Sequence, residues 1–168
     1  MTTDDTTGRG SKAAGRLVVL GVGNTLLSDE GVGVHTVDYL RRQPPLDAVE
    51  YIDGGTLSFT LAEPIETTDN LIVIDASELQ CAPGTVRCFR DQAMDEFLGS
   101  NRKRSVHEVS LLDLMAIAHL AGRLPTRRAL VGIQPASTDW GDAPTESVAQ
   151  AIPQAAQLVR QLIEEWRQ

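Results

Sequence analysis

Short unbroken apolar runs alternate along the chain with stretches in which apolar residues recur every three or four positions. The first run, residues 17–20, leads into Gly21-Val22-Gly23. Consecutive apolar residues ending in glycines predict a strand buried on both faces that closes into a tight loop. Val34, Val37, Tyr39 and Leu40 then fall on one helical face, so a helix is predicted over 31–42, ending ahead of Pro44-Pro45. Further strands are predicted at 49–52, 71–74, 85–89 and 129–133. The fourth strand follows the turn pair Pro83-Gly84 and alternates apolar with polar residues, the pattern of a half-exposed edge strand. Helices are predicted at 57–63, with Thr56 as its cap, at 91–98 and at 109–121, where Gly122 supplies the stop. A last one covers 146–166, interrupted or kinked at Pro153.

Strands alternating with helices predict an α/β domain built on a mostly parallel, doubly wound sheet. Residues 1–15 are polar, carry no apolar segment of the secretory kind and are read as a disordered tail, leaving 16–168 as a single domain. In such a sheet ligands bind beyond the carboxyl ends of the strands. Those ends carry Asn24 to Glu30, then Asp53, Asp75 and Gln134, so several carboxylates converge on one rim. Like charges held close are costly unless a proton or cation offsets them.

Charge narrows the partners. The 168 residues carry a net charge of −8, which argues against nucleic acid and against an anionic membrane surface. No apolar run approaches the roughly 18–20 residues that span a bilayer. Two cysteines, Cys81 and Cys88, are too few for a zinc knuckle and read as reduced thiols of a cytoplasmic protein.

The glycine loop invites a nucleotide-binding reading, and fits it poorly. The dinucleotide fingerprint needs a third glycine where this chain has Leu26. Asp29 and Glu30 also put negative charge where a phosphate would meet the helix N-terminus. Two readings of that pair remain: charge-stabilising caps of the helix, or members of a site. Among the histidines, His35 and His119 fall inside helical patterns, whereas His107 precedes one, after Arg102-Lys103-Arg104. A Glu, an Asp and a loop imidazole form a mixed N/O set suited to a borderline transition metal with open positions. No His-Glu-x-x-His is present, so a zincin-type protease is excluded.

Gly21-Val22-Gly23-Asn24 with Leu26 and Asp29-Glu30-Gly31 is followed in order by Asp53-Gly54-Gly55-Thr56 and Leu71-Ile72-Val73-Ile74-Asp75-Ala76. His107-Glu108-Val109-Ser110-Leu111 and Gly132-Ile133-Gln134-Pro135 with Asp139-Trp140-Gly141 complete the set. In this order and spacing the chain, from Leu17 onward, resembles the [NiFe]-hydrogenase maturation endopeptidases. The resemblance implies a three-layer sandwich with a five-stranded, mostly parallel twisted sheet, one antiparallel edge strand, and flanking helices. It implies an endopeptidase, aspartic-type or dependent on substrate nickel, that removes the C-terminal extension of the hydrogenase large-subunit precursor after nickel insertion. By motif it assigns Glu30, Asp75 and His107 to a metal-recognition cluster, with Glu30 and Asp75 catalytic. Asp53, Thr56 and His107 are assigned to substrate binding. The nickel is carried in by the nickel-loaded precursor rather than held permanently, and the protein is expected to be a cytoplasmic monomer. Ser58 departs from the pattern, since many members have glycine there. A non-catalytic assembly chaperone and a nucleotide-binding protein are the rival readings.

Overall fold

The computed structural model describes residues 15–101 and 109–168. The tail, apart from Gly15, and His107 lie outside the described residues. The first apolar run forms β1 (Leu17–Val22), buried along its whole length. A 3-10 turn (Ser28–Gly31) then leads directly into α1 (Val32–Arg41). The chain continues through β2 (Val49–Gly55), a 3-10 turn (Phe59–Leu61) and α2 (Ala62–Glu66) to β3 (Asn70–Ala76). After β4 (Val86–Arg90) come α3 (Gln92–Ser100), α4 (Leu111–Leu120), β5 (Arg127–Ile133) and α5 (Glu146–Arg167). The five strands form one sheet in the order β2-β1-β3-β5-β4. Every pairing is parallel except that of β4, which runs antiparallel to β5 at one edge. The sheet expected from the resemblance is thereby confirmed, and the half-exposed strand is the edge one.

Alternation along the strands sorts the core into two layers. Leu17, Val19, Ile72, Ile74, Ala129, Val131 and Ile133 pack against α1 and α5. Val18, Leu20, Leu71, Val73 and Leu130 pack on the other face, against α2, α3 and α4. Central strands buried on both sides explain why their sequence reads as continuous aliphatic runs rather than as alternation. Among the described residues no helix is long and apolar enough to cross a membrane.

Three local expectations are corrected. Thr56 caps no helix: it lies in a bend just after β2, Ser58 is the extended residue before the next turn, and that turn and the helix after it occupy 59–66 with no side-chain cap. Pro153 does not interrupt the last helix, which runs unbroken over 146–167 with the proline ring on its exposed side. Nor do Asp29 and Glu30 cap the first helix, since neither the 3-10 turn nor α1 has a side-chain cap. The helix over 109–121 starts at Leu111, where Ser110 and Asp113 close a reciprocal capping box. Gly122 ends it, with φ +68.

Candidate active site at the β1–β3 switch

Strand order reverses between β1 and β3: the chain leaves β1 for β2 on one side, and β3 then pairs with β1 on the other. This is the point where open α/β sheets leave a crevice beyond their strand ends. Glycine lets the backbones close up at this point. A Cβ on Gly33 would stand 2.1 Å from the Ile74 carbonyl and 2.4 Å from that of Val22, so only glycine lets α1 start against both strands. A Cβ on Gly23, at φ +138, would stand 1.8 Å from the Glu30 carbonyl. The loop therefore folds back on itself, and Glu30 is held over the end of β1 while Asp75 follows Ile74 on β3. Both side chains are partly buried.

Asp29 and Glu30, adjacent in sequence, have unlike surroundings. Asp29 is fully buried. Its Oδ2 accepts the amides of Ala136 at 2.8 Å and Ser137 at 3.0 Å, and its Oδ1 accepts the Thr145 amide at 2.6 Å. The Thr145 hydroxyl lies 3.0 Å from Oδ1 and 2.9 Å from Oδ2. Burial pushes the carboxyl pKa up, and the hydrogen bonds from Ser137, Thr145 and Ala136 together outweigh it, leaving Asp29 below its ordinary value. Asp29 thus ties the β1 loop to the segment after β5 and to the start of α5. Its neighbour Ser28 sits at φ +48, unusual for a residue with a side chain, and is held there by the Gly141 and Asp139 carbonyls.

The other rim residues divide in the same way. The Gly55 amide donates to Asp53 Oδ1 at 2.9 Å, closing a local turn, and the Gly23 amide donates to the Gly55 carbonyl at 2.8 Å. The Asp53 loop is thereby joined to the β1 loop, with Asp53 and Thr56 both exposed. Asp75 is level with Gly132 of β5, one step beyond the level shared by Gly21 and Ile74. Strand alternation places it on the α2–α4 face, following Leu71 and Val73. Gln134 is buried, its Oε1 accepting the Leu79 amide at 2.7 Å, so it braces the loop after β3 rather than facing the crevice. Among the described residues no three His, Cys, Asp or Glu side chains form a metal-holding group. The third member of the expected cluster, His107, lies outside the described residues, and Val109, two residues on, packs on the same face as Leu71 and Val73. Sequence reasoning missed the bracing role of Asp29; its only signal was a buried-type neighbourhood of glycines and valines.

Comparison with known proteins agrees with this architecture. The family model described as hydrogenase maturation protease matches residues 34–162. The hydrogenase expression/formation protein HupD of Bradyrhizobium diazoefficiens is 37% identical over 153 residues, covering 90% of this chain and 79% of that protein. The hydrogenase 2 maturation protease of Escherichia coli is 36% identical over 146 residues, covering 86% of this chain and 88% of its own. Among solved structures, the hydrogenase maturating endopeptidase HybD from E. coli superposes with a TM-score of 0.82 at 34% identity, covering 89% of this chain and 93% of that one. A family model matched over residues 34–162, together with proteases of one kind that align over most of the chain in sequence and in fold, makes this chain a peptidase of the hydrogenase maturation protease family.

Proposed function

We propose that the chain is the endopeptidase that removes the C-terminal extension of a [NiFe]-hydrogenase large-subunit precursor once nickel has been inserted. The observation that carries this reading is the seating of Gly33 on the Ile74 carbonyl, which packs the start of α1, three residues after Glu30, against the end of β3, where Asp75 follows Ile74. Glu30 and Asp75 are the catalytic carboxylates and, with His107, meet the nickel that the precursor presents. The metal belongs to the substrate, and its arrival reports that assembly is complete. Asp53 and Thr56, exposed on a loop joined to the β1 loop, bind the substrate alongside His107. One of the carboxylates takes a proton from water as its oxygen attacks the scissile carbonyl. The amide C–N bond then breaks, and the proton goes to the leaving amine. The enzyme works as a monomer in the cytoplasm, a reducing compartment in keeping with the free thiols of Cys81 and Cys88.

The test is cleavage of nickel-loaded and nickel-free precursor by the purified protein. Cleavage of the loaded form alone is expected. Equal cleavage of both would remove metal sensing, and tight binding without cleavage of either would identify a chaperone instead.

A further inference from the structure

The described residues expose four large apolar side chains: Leu26, Phe59, Leu120 and Trp140. Three stand on the segments that follow the carboxyl ends of β1, β2 and β5, the rim that holds Glu30 and Asp75. Leu120, the exception, ends α4, and the chain enters β5 from there, at the opposite edge of the sheet.

Leu26 and Trp140 are brought side by side although 114 positions separate them in the chain. The Gly141 amide donates to the Leu26 carbonyl at 3.0 Å, and the Ser28 amide donates to the Gly141 carbonyl at 2.9 Å. The Ser28 hydroxyl donates to the Asp139 carbonyl at 2.8 Å. A Cβ on Gly141 would stand 2.6 Å from the Ser28 hydroxyl, so the two strips run close. These bonds fix the backbones, yet leave Leu26 56% exposed and Trp140 82% exposed. A tryptophan on a pinned backbone loses little freedom when covered, which is the property of an interface anchor.

We propose that Leu26 and Trp140 form an apolar lip on which the precursor protein seats the segment bearing the scissile bond. The proposal rests on the reading of the chain as a precursor-processing endopeptidase, and it assigns that substrate a docking surface. The occupant follows from position and charge. The lip is continuous with the catalytic loop, since Leu26 lies two residues before the 3-10 turn, Ser28–Gly31, that carries Asp29 and Glu30. Asp139 and Asp142 flank Trp140, and the whole chain carries −8. The seated segment therefore presents an apolar side chain with neutral or basic neighbours.

The experiment measures initial rates against concentration of nickel-loaded precursor for the parent chain and for Leu26→Ser, Trp140→Ser, their double variant, Trp140→Phe and Leu120→Ser. Precursor binding is measured in parallel, and thermal midpoints check folding. The serine variants at the lip are expected to raise KM at least tenfold while kcat falls less than threefold. Trp140→Phe recovers most of the loss, and Leu120→Ser changes nothing. Unchanged KM in the double variant, or a loss confined to kcat, overturns the lip. If the parent binds precursor without cutting it and Trp140→Ser still abolishes binding, the lip stands and the endopeptidase reading falls. If the parent neither binds nor cuts, both fall.

Discussion

Asp29 and Thr145, 116 positions apart, are joined twice: the Thr145 amide donates to the carboxylate at 2.6 Å and its hydroxyl lies 2.9 Å from the second oxygen. With the Ala136 and Ser137 amides on that second oxygen, one buried side chain fastens the β1 loop, the segment after β5 and the start of α5 together. The partly buried carboxylate of Glu30 is the next residue along. Precision at Glu30 is therefore bought by its neighbour.

Asp29→Ala is expected to destabilise the chain by about 3 kcal/mol, because it strips the acceptor from several backbone donors, each costing about 1–3 kcal/mol when left unpaired. For a domain of this size that corresponds to a fall in Tm of roughly 6–12 °C. Asp29→Asn, which keeps one accepting oxygen, should fall between parent and alanine variant. Urea denaturation of the three proteins checks the order, and an unchanged midpoint for Asp29→Ala would show that the bracing carries no weight.

The same carboxylate sets an acid limit. Asp29 is held below its ordinary pKa in the folded chain: burial alone would raise it, but the hydrogen bonds it accepts prevail. The folded state thus holds its proton less tightly than the unfolded state, where an aspartate titrates near about 3.9. Its contribution is complete above that value and is lost as pH falls through the lower, folded one. Urea midpoints measured from neutral pH down into the acid range should drop more steeply in the parent than in Asp29→Asn. Parallel curves for the two proteins would rule this origin out.

Much of this arrangement is legible in the residues, and the parts that are not share a cause. The aliphatic runs 71–74 and 129–133 announce β3 and β5, because strands covered on both faces need such residues at every position. Their polar ends are not announced: Asn70, Asp75, Arg127 and Arg128 join the ladder through backbone bonds that carry no side-chain signature. Thr56 resembles a helix cap locally, but it lies in a bend and the next turn begins only at Phe59, so backbone direction decides the cap as much as residue type. Pro153 reads as a breaker, yet its ring is exposed and α5 buries its opposite face against the sheet, so packing overrides the local preference. Asp29 and Glu30 look equivalent in sequence because what distinguishes them lies more than a hundred residues away, at Ala136, Ser137 and Thr145.

Two glycine substitutions separate close approach from helix propensity. Gly33→Ala places a methyl group against the carbonyls of Ile74 and Val22 and the Val22 amide, all backbone atoms that cannot step aside. The cost is expected to exceed about 3 kcal/mol, at the upper end for single substitutions, or to prevent folding. Gly99→Ala, in α3 with nothing within 4 Å of the added carbon, should stabilise by about 0.5 kcal/mol. Denaturation midpoints moving in opposite directions are the expected result. A tolerated Gly33→Ala would mean that α1 does not press on the β1–β3 switch as tightly as the crevice requires.

If Glu30 and Asp75 act on one water and one metal-bearing substrate, their losses should not add. Glu30→Gln and Asp75→Asn are each expected to slow precursor cleavage by about 100-fold or more, the scale of a lost proton-transfer group. The double variant should be little slower than the worse single one, because groups that work as a unit fail as a unit. Glu30→Gln keeps the size of a side chain that is only partly buried, and its folding stability should stay within about 1 kcal/mol of the parent. That separates a chemical loss from a structural one. Multiplicative losses in the double variant would point to two independent roles, one carboxylate binding the precursor and the other doing the chemistry, and single-turnover rates with saturating precursor distinguish the two cases.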